Sequence, residues 1–222
     1  MIDGIRFKVC GLTSLVDAEF ADRAGADFLG FILHPGSPRY VSPANYDAMR
    51  HRLPEGRKRV AVMVEPPETD LQQAIDAGFD RFQLHFRDET PLAQVQAWSQ
   101  RVGPERLWLA PRLAPESRFD PAWLPLAHTF LLDTYRPDGF GGTGRTGDWP
   151  GFAELAAKHP DRTWILAGGL APENVAAALA ASGARVVDVN SGVELAPGLK
   201  DHARLRAFVL AIHHARTAVS ET

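Results

Sequence analysis

Ala24-Gly25-Ala26-Asp27 ends one alanine-rich amphipathic segment and leads directly into the apolar run Phe28-Leu29-Gly30-Phe31. The same phrase returns as Ala77-Gly78-Phe79-Asp80 and as Ser182-Gly183-Ala184-Arg185. In each copy a glycine stands where a helix commonly ends in the left-handed backbone conformation. The pattern indicates a chain built from repeated units in which a helix runs into a strand.

Short runs rich in Val, Ile, Leu and Phe alternate with longer amphipathic segments along the rest of the chain. A period of about 28 residues, repeated eight times, suits a closed parallel (β/α)8 TIM barrel better than an open sheet. No linker or low-complexity stretch divides the chain, so we expect one barrel domain over residues 1–222. The strands are predicted near 6–10, 27–32, 59–64, 80–85, 106–111, 128–133, 163–167 and 185–190, and the helices near 14–24, 43–52, 68–77, 90–101, 150–158, 172–182 and 200–216.

One repeat is defective. Between the fifth and sixth predicted strands, Pro115, Pro121 and Pro125 are too many for a regular helix interior. We therefore expect a loop or a single turn, and a barrel with a degenerate fifth helix. Elsewhere Ser42-Pro43 and Pro172-Glu173 predict helix starts, because a proline at the first helical position lacks an N–H that would be unpaired there in any case.

Composition and net charge limit the partners and the compartment expected for this protein. A formal net charge of -3, from 27 acidic and 24 basic residues, offers no electrostatic reason to expect nucleic acid or an anionic membrane as partner. The single cysteine, Cys10, excludes an internal disulfide and a cysteine-based zinc cluster, and fits a reducing compartment. No run reaches the roughly 18–20 apolar residues of a membrane span, and the start of the sequence has no long apolar segment, so we expect no signal peptide. We expect a cytoplasmic protein.

Three glycine-rich turns follow apolar runs in the second half of the chain. They are Gly141-Gly142-Thr143-Gly144-Arg145-Thr146, Gly168-Gly169 and Ser191-Gly192. Glycine lets the main chain approach a ligand closely, and several converging backbone N–H groups hold a phosphate well. The sequence predicts a phosphorylated small molecule as ligand, bound by Gly142, Thr143, Gly144, Gly168, Gly169, Asn190, Ser191 and Gly192.

In such a barrel the loops after the strands build the active site. Cys10 and Asp133 end the first and sixth predicted strands. Lys8 precedes Cys10 by two residues, so both side chains are expected to point into the barrel, where the lysine would help hold a thiolate. His34, His85 and the pair His213-His214 lack further ligands at suitable spacing, so no metal is expected.

Taken together, these blocks resemble phosphoribosylanthranilate isomerase, in the same order and across nearly the whole chain. The blocks are Lys8-Val9-Cys10-Gly11-Leu12-Thr13, Gly25-Ala26-Asp27-Phe28-Leu29-Gly30-Phe31, Ser37-Pro38-Arg39-Tyr40-Val41-Ser42-Pro43, Leu132-Asp133-Thr134, Gly141-Gly142-Thr143-Gly144-Arg145-Thr146-Gly147-Asp148-Trp149, Ala167-Gly168-Gly169-Leu170-Ala171-Pro172-Glu173-Asn174-Val175 and Val187-Asp188-Val189-Asn190-Ser191-Gly192-Val193-Glu194.

The resemblance implies an isomerase of tryptophan biosynthesis that needs no cofactor and converts N-(5-phosphoribosyl)anthranilate into 1-(2-carboxyphenylamino)-1-deoxyribulose 5-phosphate by an Amadori rearrangement. It implies that Asp133 is the general acid, which protonates the furanose ring oxygen, and that Cys10 is the general base, which removes the sugar C2 proton. It places Arg39 on the anthranilate carboxylate and His85 among the substrate-binding residues. An acid that works near neutrality requires a raised pKa, which burial of Asp133 would supply.

Some positions depart from the family pattern. Phe86 follows Gln83-Leu84-His85 where the family usually has glycine, which predicts a bulky side chain near the mouth. Arg112 predicts an additional cation facing the site, and Gly147 stands where phenylalanine is usual. These changes bear on substrate affinity more than on the type of reaction.

Two other classes of function remain open. A different phosphosugar barrel enzyme, resembling indole-glycerol-phosphate synthase or a pentose-phosphate epimerase, would share the phosphate turns but would need a lysine-glutamate set or a metal-linked acid pair. A non-catalytic barrel that binds a phosphorylated metabolite would keep the glycines and dispense with Cys10 and Asp133. The sequence is compatible with a monomer or a homodimer, and it leaves open whether a second aminoaldose is accepted.

Overall fold

The computed structural model describes residues 1–113, 117–133 and 148–220, with the backbone alone for 216–220. Eight parallel strands close into a barrel in the order β1 to β8, because β8 pairs with β1 and places Asp188 opposite Lys8. The predicted TIM barrel is confirmed. The strands are β1 (Arg6–Val9), β2 (Phe28–Ile32), β3 (Lys58–Val64), β4 (Arg81–Arg87), β5 (Leu107–Arg112), β6 (Thr129–Leu132), β7 (Thr163–Leu166) and β8 (Val186–Val189).

Helices follow most strands and cover the outside of the barrel. The helix start predicted at Ser42-Pro43 is confirmed, and of the two cap candidates Thr13 and Ser14 before the first helix the structure uses Ser14; the side chains of Ser14 and Ser42 accept the backbone N–H of Asp17 and Asn45. Gly183, at φ 64°, ends its helix in the left-handed conformation as expected. The helices are α1 (Leu15–Arg23), α2 (Pro43–Arg50), α3 (Glu68–Asp76), α4 (Leu92–Val102), α5 (Trp149–Lys158), α6 (Val175–Ser182) and α7 (His202–Ser220). Among the described residues, no helix has the length and apolar character of a membrane span.

The start predicted at Pro172 for α6 is wrong, because the helix begins at Val175. Asn174 holds the preceding residues in a turn. Its side chain accepts the N–H of Ala171 at 2.8 Å and donates to the carbonyl of Gly169 at 2.9 Å. The turn thus fixes the backbone that follows β7, next to one of the predicted phosphate-binding glycine pairs.

The fifth repeat lacks a regular α-helix over its described residues, as predicted, and has a 3₁₀ helix at Pro121–Leu126 instead. Asp120 caps this helix by accepting the N–H of Ala122. Trp123 points inward from it and is buried. A short helix leaves more of the barrel wall uncovered than a full one, and aromatic side chains fill that space.

Phe86 is one of those aromatic side chains, and the expectation that it crowds the mouth is wrong. Successive side chains in a strand point to opposite faces, so Phe86 points outward because its neighbour His85 points inward. Its ring lies 5.2 Å from that of Trp123 and 6.0 Å from that of Trp98, both edge to face, and it is fully buried. Phe86 is a core residue beneath the degenerate repeat.

Replacing Phe86 with Ala is therefore expected to lower the free energy of unfolding by roughly 3–5 kcal/mol, because it leaves a cavity among aromatic rings. Urea denaturation followed by tryptophan fluorescence measures the change. The KM for substrate should stay close to that of the unchanged protein. A large rise in KM with full stability would show that the ring belongs to the mouth after all.

Beyond the barrel, the structure contains an antiparallel pair that sequence patterns did not predict. Strand β9 (Glu194–Ala196) pairs with β10 (Leu199–Lys200) after a short 3₁₀ turn at Ser191–Val193. The hydroxyl of Thr13 donates to the carbonyl of Gly198 at 2.6 Å. This β9–β10 hairpin is thereby attached to the loop after β1, at the rim of the barrel.

Candidate active site

A cavity of about 390 Å³ opens at the carboxyl ends of the strands. Cys10 enters it after β1 and Asp133 after β6. These strands are separated by β7 and β8 in the ring of eight, so the two side chains approach the cavity from different sides. Of the residues predicted for the site, Cys10, Arg39, His85, Asp133, Gly168, Gly169, Asn190 and Ser191 line this cavity.

The remaining predicted residues lie elsewhere. Lys8 is fully buried on β1 beneath the cavity floor, and Gly192 is packed behind its wall. Gly142, Thr143 and Gly144 fall outside the described residues, as does Gly147. Arg112 ends β5 but is not among the residues that line the cavity, so the cation expected there from Arg112 is not found in the described site.

Cys10 lies on the floor of the cavity, and its backbone is held by the neighbouring strand β8. Its backbone N–H donates to the carbonyl of Val189 on β8 at 2.9 Å. Only 4% of its surface is exposed, on the side that faces the cavity. The thiol is thus accessible to a ligand in the cavity but is otherwise enclosed by protein.

Lys8 and Asp188 form an ion pair below Cys10. The Lys8 Nζ lies 2.9 Å from Asp188 Oδ2, and both side chains are almost completely buried. Burial alone would lower the pKa of Lys8, but Asp188 and the Cys10 thiol raise it, so the lysine stays protonated. Gly30 makes room for this pair, because a Cβ there would lie 2.7 Å from Lys8 Cε.

Two opposing effects set the ionisation of Cys10. Burial raises the pKa of the thiol, whereas the ammonium groups of Lys8 and Lys200 lower it. The pKa of Cys10 lies above its ordinary value as a result. Lys8 acts in the expected direction, but desolvation outweighs its effect on the pKa of the thiol.

The Lys8→Met variant is expected to raise the pKa of the Cys10 thiol further, since it removes a cation and leaves Asp188 uncompensated beside the sulfur. Because the chain has one cysteine, the ultraviolet absorbance of the thiolate reports this group alone. The matched control is Lys58→Met, which changes an exposed lysine at the far end of β3. An unchanged or lowered thiol pKa in Lys8→Met would contradict this electrostatic interpretation.

His85 stands in the cavity wall beside Gln83 on β4. The two side chains meet at 2.8 Å, between Gln83 Nε2 and His85 Nε2. Burial, Lys8 and His34 lower the pKa of His85 to about 3. His85 is therefore neutral throughout the physiological range and meets a ligand through hydrogen bonding or stacking, without charge.

The loops after β7 and β8 form one end of the cavity. Gly168 and Gly169 adopt φ of 91° and 62°, which favour glycine, and within the described residues their N–H groups donate to no protein acceptor. Gly192 permits close contact between the two loops, because a Cβ there would lie 2.0 Å from the Leu170 carbonyl oxygen. The pair of loops is typical of a phosphate site in this fold.

A cluster of charged side chains at the rim, in contact with the loop after β8, was not predicted from sequence. Glu194 of β9 contacts both Arg39, from the loop after β2, and Lys200 of β10. Lys200 also donates to Asn190 Oδ1 at 3.0 Å. Arg39 lines the cavity, and its guanidinium is paired with the buried Glu194, which also contacts the buried Lys200. The local sequence did not predict either contact.

Within residues 1–113, 117–133 and 148–220, no group of three or more His, Cys, Asp or Glu side chains is arranged to hold a metal ion.

Comparison with known proteins gives a consistent family. Residues 7–211 match the family model described as N-(5'phosphoribosyl)anthranilate (PRA) isomerase. A relative from Pelobacter propionicus, named N-(5'-phosphoribosyl)anthranilate isomerase, is 40% identical over 206 residues, which cover 92% of this chain and 94% of the relative.

Solved structures that resemble this chain bear the same family name. The phosphoribosyl anthranilate isomerase of Thermus thermophilus superimposes with a TM-score of 0.78 at 33% identity, covering 95% of this chain and 99% of that one. A phosphoribosyl anthranilate isomerase in complex with reduced 1-(o-carboxyphenylamino)-1-deoxyribulose 5-phosphate gives a TM-score of 0.71 at 33% identity, covering 92% and 96% of the two chains.

Proposed function

This chain belongs to the N-(5'-phosphoribosyl)anthranilate isomerase family, and we propose that Cys10 and Asp133 perform the acid-base chemistry of its reaction. It is an isomerase of tryptophan biosynthesis, and its substrate is a small phosphorylated molecule. We further propose that it works as one barrel domain over residues 1–222, in the cytoplasm. Each residue is assigned a role according to the part of the cavity that it lines.

Asp133 is the proposed general acid. The half-buried carboxyl follows Leu131, which points into the barrel, by two residues and so faces the same interior. From there it would protonate the ring oxygen of the ribosyl group, break the bond between that oxygen and C1, and open the ring to a Schiff base. The proton transferred is the one on the acid, so Asp133 must be protonated when substrate binds.

Cys10 is the proposed general base. It reaches the cavity from the floor, and its sulfur would take the proton from C2 of the opened sugar. The electrons of the C2–H bond form the C1–C2 double bond of an enolamine, and the Schiff-base nitrogen accepts the displaced pair. A raised thiol pKa makes Cys10 a stronger base once ionised, while Lys8 and Lys200 compensate part of the negative charge.

The anionic groups of the substrate are proposed to orient it between these two residues. Backbone N–H groups of Gly168, Gly169 and Ser191 would hold the phosphate, with the turn Gly142, Thr143 and Gly144 completing the site. Arg39 lies at another part of the same cavity and would bind the anthranilate carboxylate through charge-assisted hydrogen bonds. The sugar would then span the distance between the two anion sites.

The observation that carries this proposal is the convergence of Cys10 and Asp133 on one cavity that Gly168, Gly169 and Ser191 also line. The test is a fluorescence assay in which purified protein is added to phosphoribosylanthranilate, which should disappear in proportion to enzyme. A different phosphosugar enzyme would leave this substrate unchanged. A non-catalytic barrel would bind it, with a change in anisotropy, but would not consume it.

A further inference from the structure

Glu194 is buried between two cations at the rim of the cavity. The Arg39 Nε donates to its two carboxylate oxygens at 2.9 and 3.1 Å, and Arg39 Nη2 donates to Oε2 at 2.6 Å. On its other side Glu194 Oε1 accepts from Lys200 Nζ at 2.8 Å and from the N–H of Gly198 at 3.2 Å. The side chain is 4% exposed, so these bonds replace most of its hydration.

Arg39 and Lys200 are both needed if a positive charge is to remain beside the buried Glu194 carboxylate. Burial would raise the pKa of Glu194, but Arg39 and Lys200 outweigh it and hold the pKa below its ordinary range. Lys200 Nζ has three acceptors, Glu194 Oε1, Asn190 Oδ1 and the Asn190 carbonyl, which match the three N–H groups of an ammonium. Two cations and one anion leave one positive charge at the rim.

The geometry of the guanidinium decides where that charge is available. Glu194 occupies the edge formed by Nε and Nη2, and Nη1 takes no part in the bonds to Glu194. Arg39 nevertheless lines the cavity. A second carboxylate can therefore approach only along the edge formed by Nη1 and Nη2.

We propose that Glu194, supported by Lys200, is a positioning residue that fixes the Arg39 guanidinium so that its Nη1–Nη2 edge receives the carboxylate of the substrate. Lys200 neutralises Glu194, which preserves the positive charge of Arg39 for the ligand. The β9–β10 hairpin, which supplies both residues, is then part of the specificity machinery. This inference rests on the proposed function, because it needs a carboxylate-bearing substrate.

The Glu194→Gln variant separates orientation from charge. It raises the local charge by one unit, so a site that works by charge alone would bind an anion at least as tightly as before. If orientation decides, the KM for phosphoribosylanthranilate should rise about 10- to 100-fold while kcat changes little, because a charge-assisted bidentate pair is lost. Glu194→Asp, which keeps the carboxylate, should recover part of the loss.

Binding of simple anions, measured by titration calorimetry, makes the test independent of turnover. Anthranilate should lose affinity in Glu194→Gln by a factor similar to the rise in KM, whereas inorganic phosphate should bind as before. Leu195→Ala, on the same strand with an exposed side chain, is the matched control and should leave every constant unchanged.

Two results would overturn the proposal. One is unchanged or tighter anthranilate binding in Glu194→Gln, which would mean that charge alone matters. The other is an equal loss for phosphate and anthranilate, which would mean that the hairpin only maintains the fold. If Glu194→Gln behaves normally while Cys10 and Asp133 variants are inactive, the inference fails and the proposed function stands. If the unchanged protein leaves phosphoribosylanthranilate untouched, the function itself fails.

Discussion

Replacing Asp133 with Asn should lower kcat roughly 10²- to 10⁴-fold, the range that a general acid usually contributes. Asparagine keeps the shape of the side chain but has no acidic proton to give to the ring oxygen. The KM should change little, since the phosphate turns and Arg39 are untouched. Steady-state assays at saturating substrate, combined with direct binding measurements, separate the two effects.

The matched control for this variant is Asp120→Asn. Asp120 is exposed and caps the 3₁₀ helix of the degenerate repeat, remote from the chemistry. It should retain full kcat with at most a small loss of stability. Full turnover in Asp133→Asn, at a protein concentration where Asp120→Asn is also fully active, would remove Asp133 from the acid role.

Replacing Cys10 with Ala should produce a loss of similar size, roughly 10²- to 10⁴-fold in kcat, because no group remains to accept the C2 proton. The Cys10→Ser variant keeps a side chain of similar shape, but a hydroxyl ionises far less readily than a thiol. We therefore expect it to be nearly as slow as Cys10→Ala. Turnover by either variant is measured with the same fluorescence assay as the unchanged protein.

The pH dependence provides a second check on Cys10. Because the base must be deprotonated and burial raises the pKa of its thiol, the contribution of Cys10, taken as the ratio of kcat/KM in the unchanged protein to that in Cys10→Ala, should increase as the pH rises from neutrality toward that pKa. An identical pH profile in Cys10→Ala and in the unchanged protein would assign the titration to another group.

The barrel could be predicted from sequence because each repeat carries its own local signals. Apolar runs, the serine caps at Ser14 and Ser42, and the glycine that ends α6 are each decided by neighbouring residues. The degenerate repeat was also visible, since proline acts through its own ring and its missing N–H. The start of α6 was misplaced because two hydrogen bonds from the Asn174 side chain to nearby backbone groups stabilise a turn where the proline suggested a helix.

Phe86 was misjudged for a different reason. Its position next to His85 suggested the mouth, yet adjacent residues of a strand face opposite sides. The alternation of Gln83 and His85 was sufficient to predict an outward side chain, packed under the short 3₁₀ helix. The alternation of side chains along β4 thus predicts the outward position of Phe86, whereas the glycine that is usual there in the family suggested a position at the mouth.

The cluster of Arg39, Glu194 and Lys200 had no comparable signal. Strands β9 and β10 span only three and two residues, too few for a recognisable period. Lys200 was expected at the start of the last helix, where lysine is usually solvated. Its burial depends on contacts with Glu194 and Asn190 that form only when the hairpin folds against the loop after β2.

In the proposed mechanism Asp133 acts before Cys10 on one sugar held between them, and a kinetic isotope effect is the sharpest test of that order. The substrate is prepared with deuterium at sugar C2, and kcat is compared with that of ordinary substrate in both variants. In Cys10→Ala, removal of the C2 proton should limit the rate and give a clear primary isotope effect. In Asp133→Asn, ring opening should limit the rate and leave the ratio near unity. The reverse pattern would contradict the assignment of acid and base.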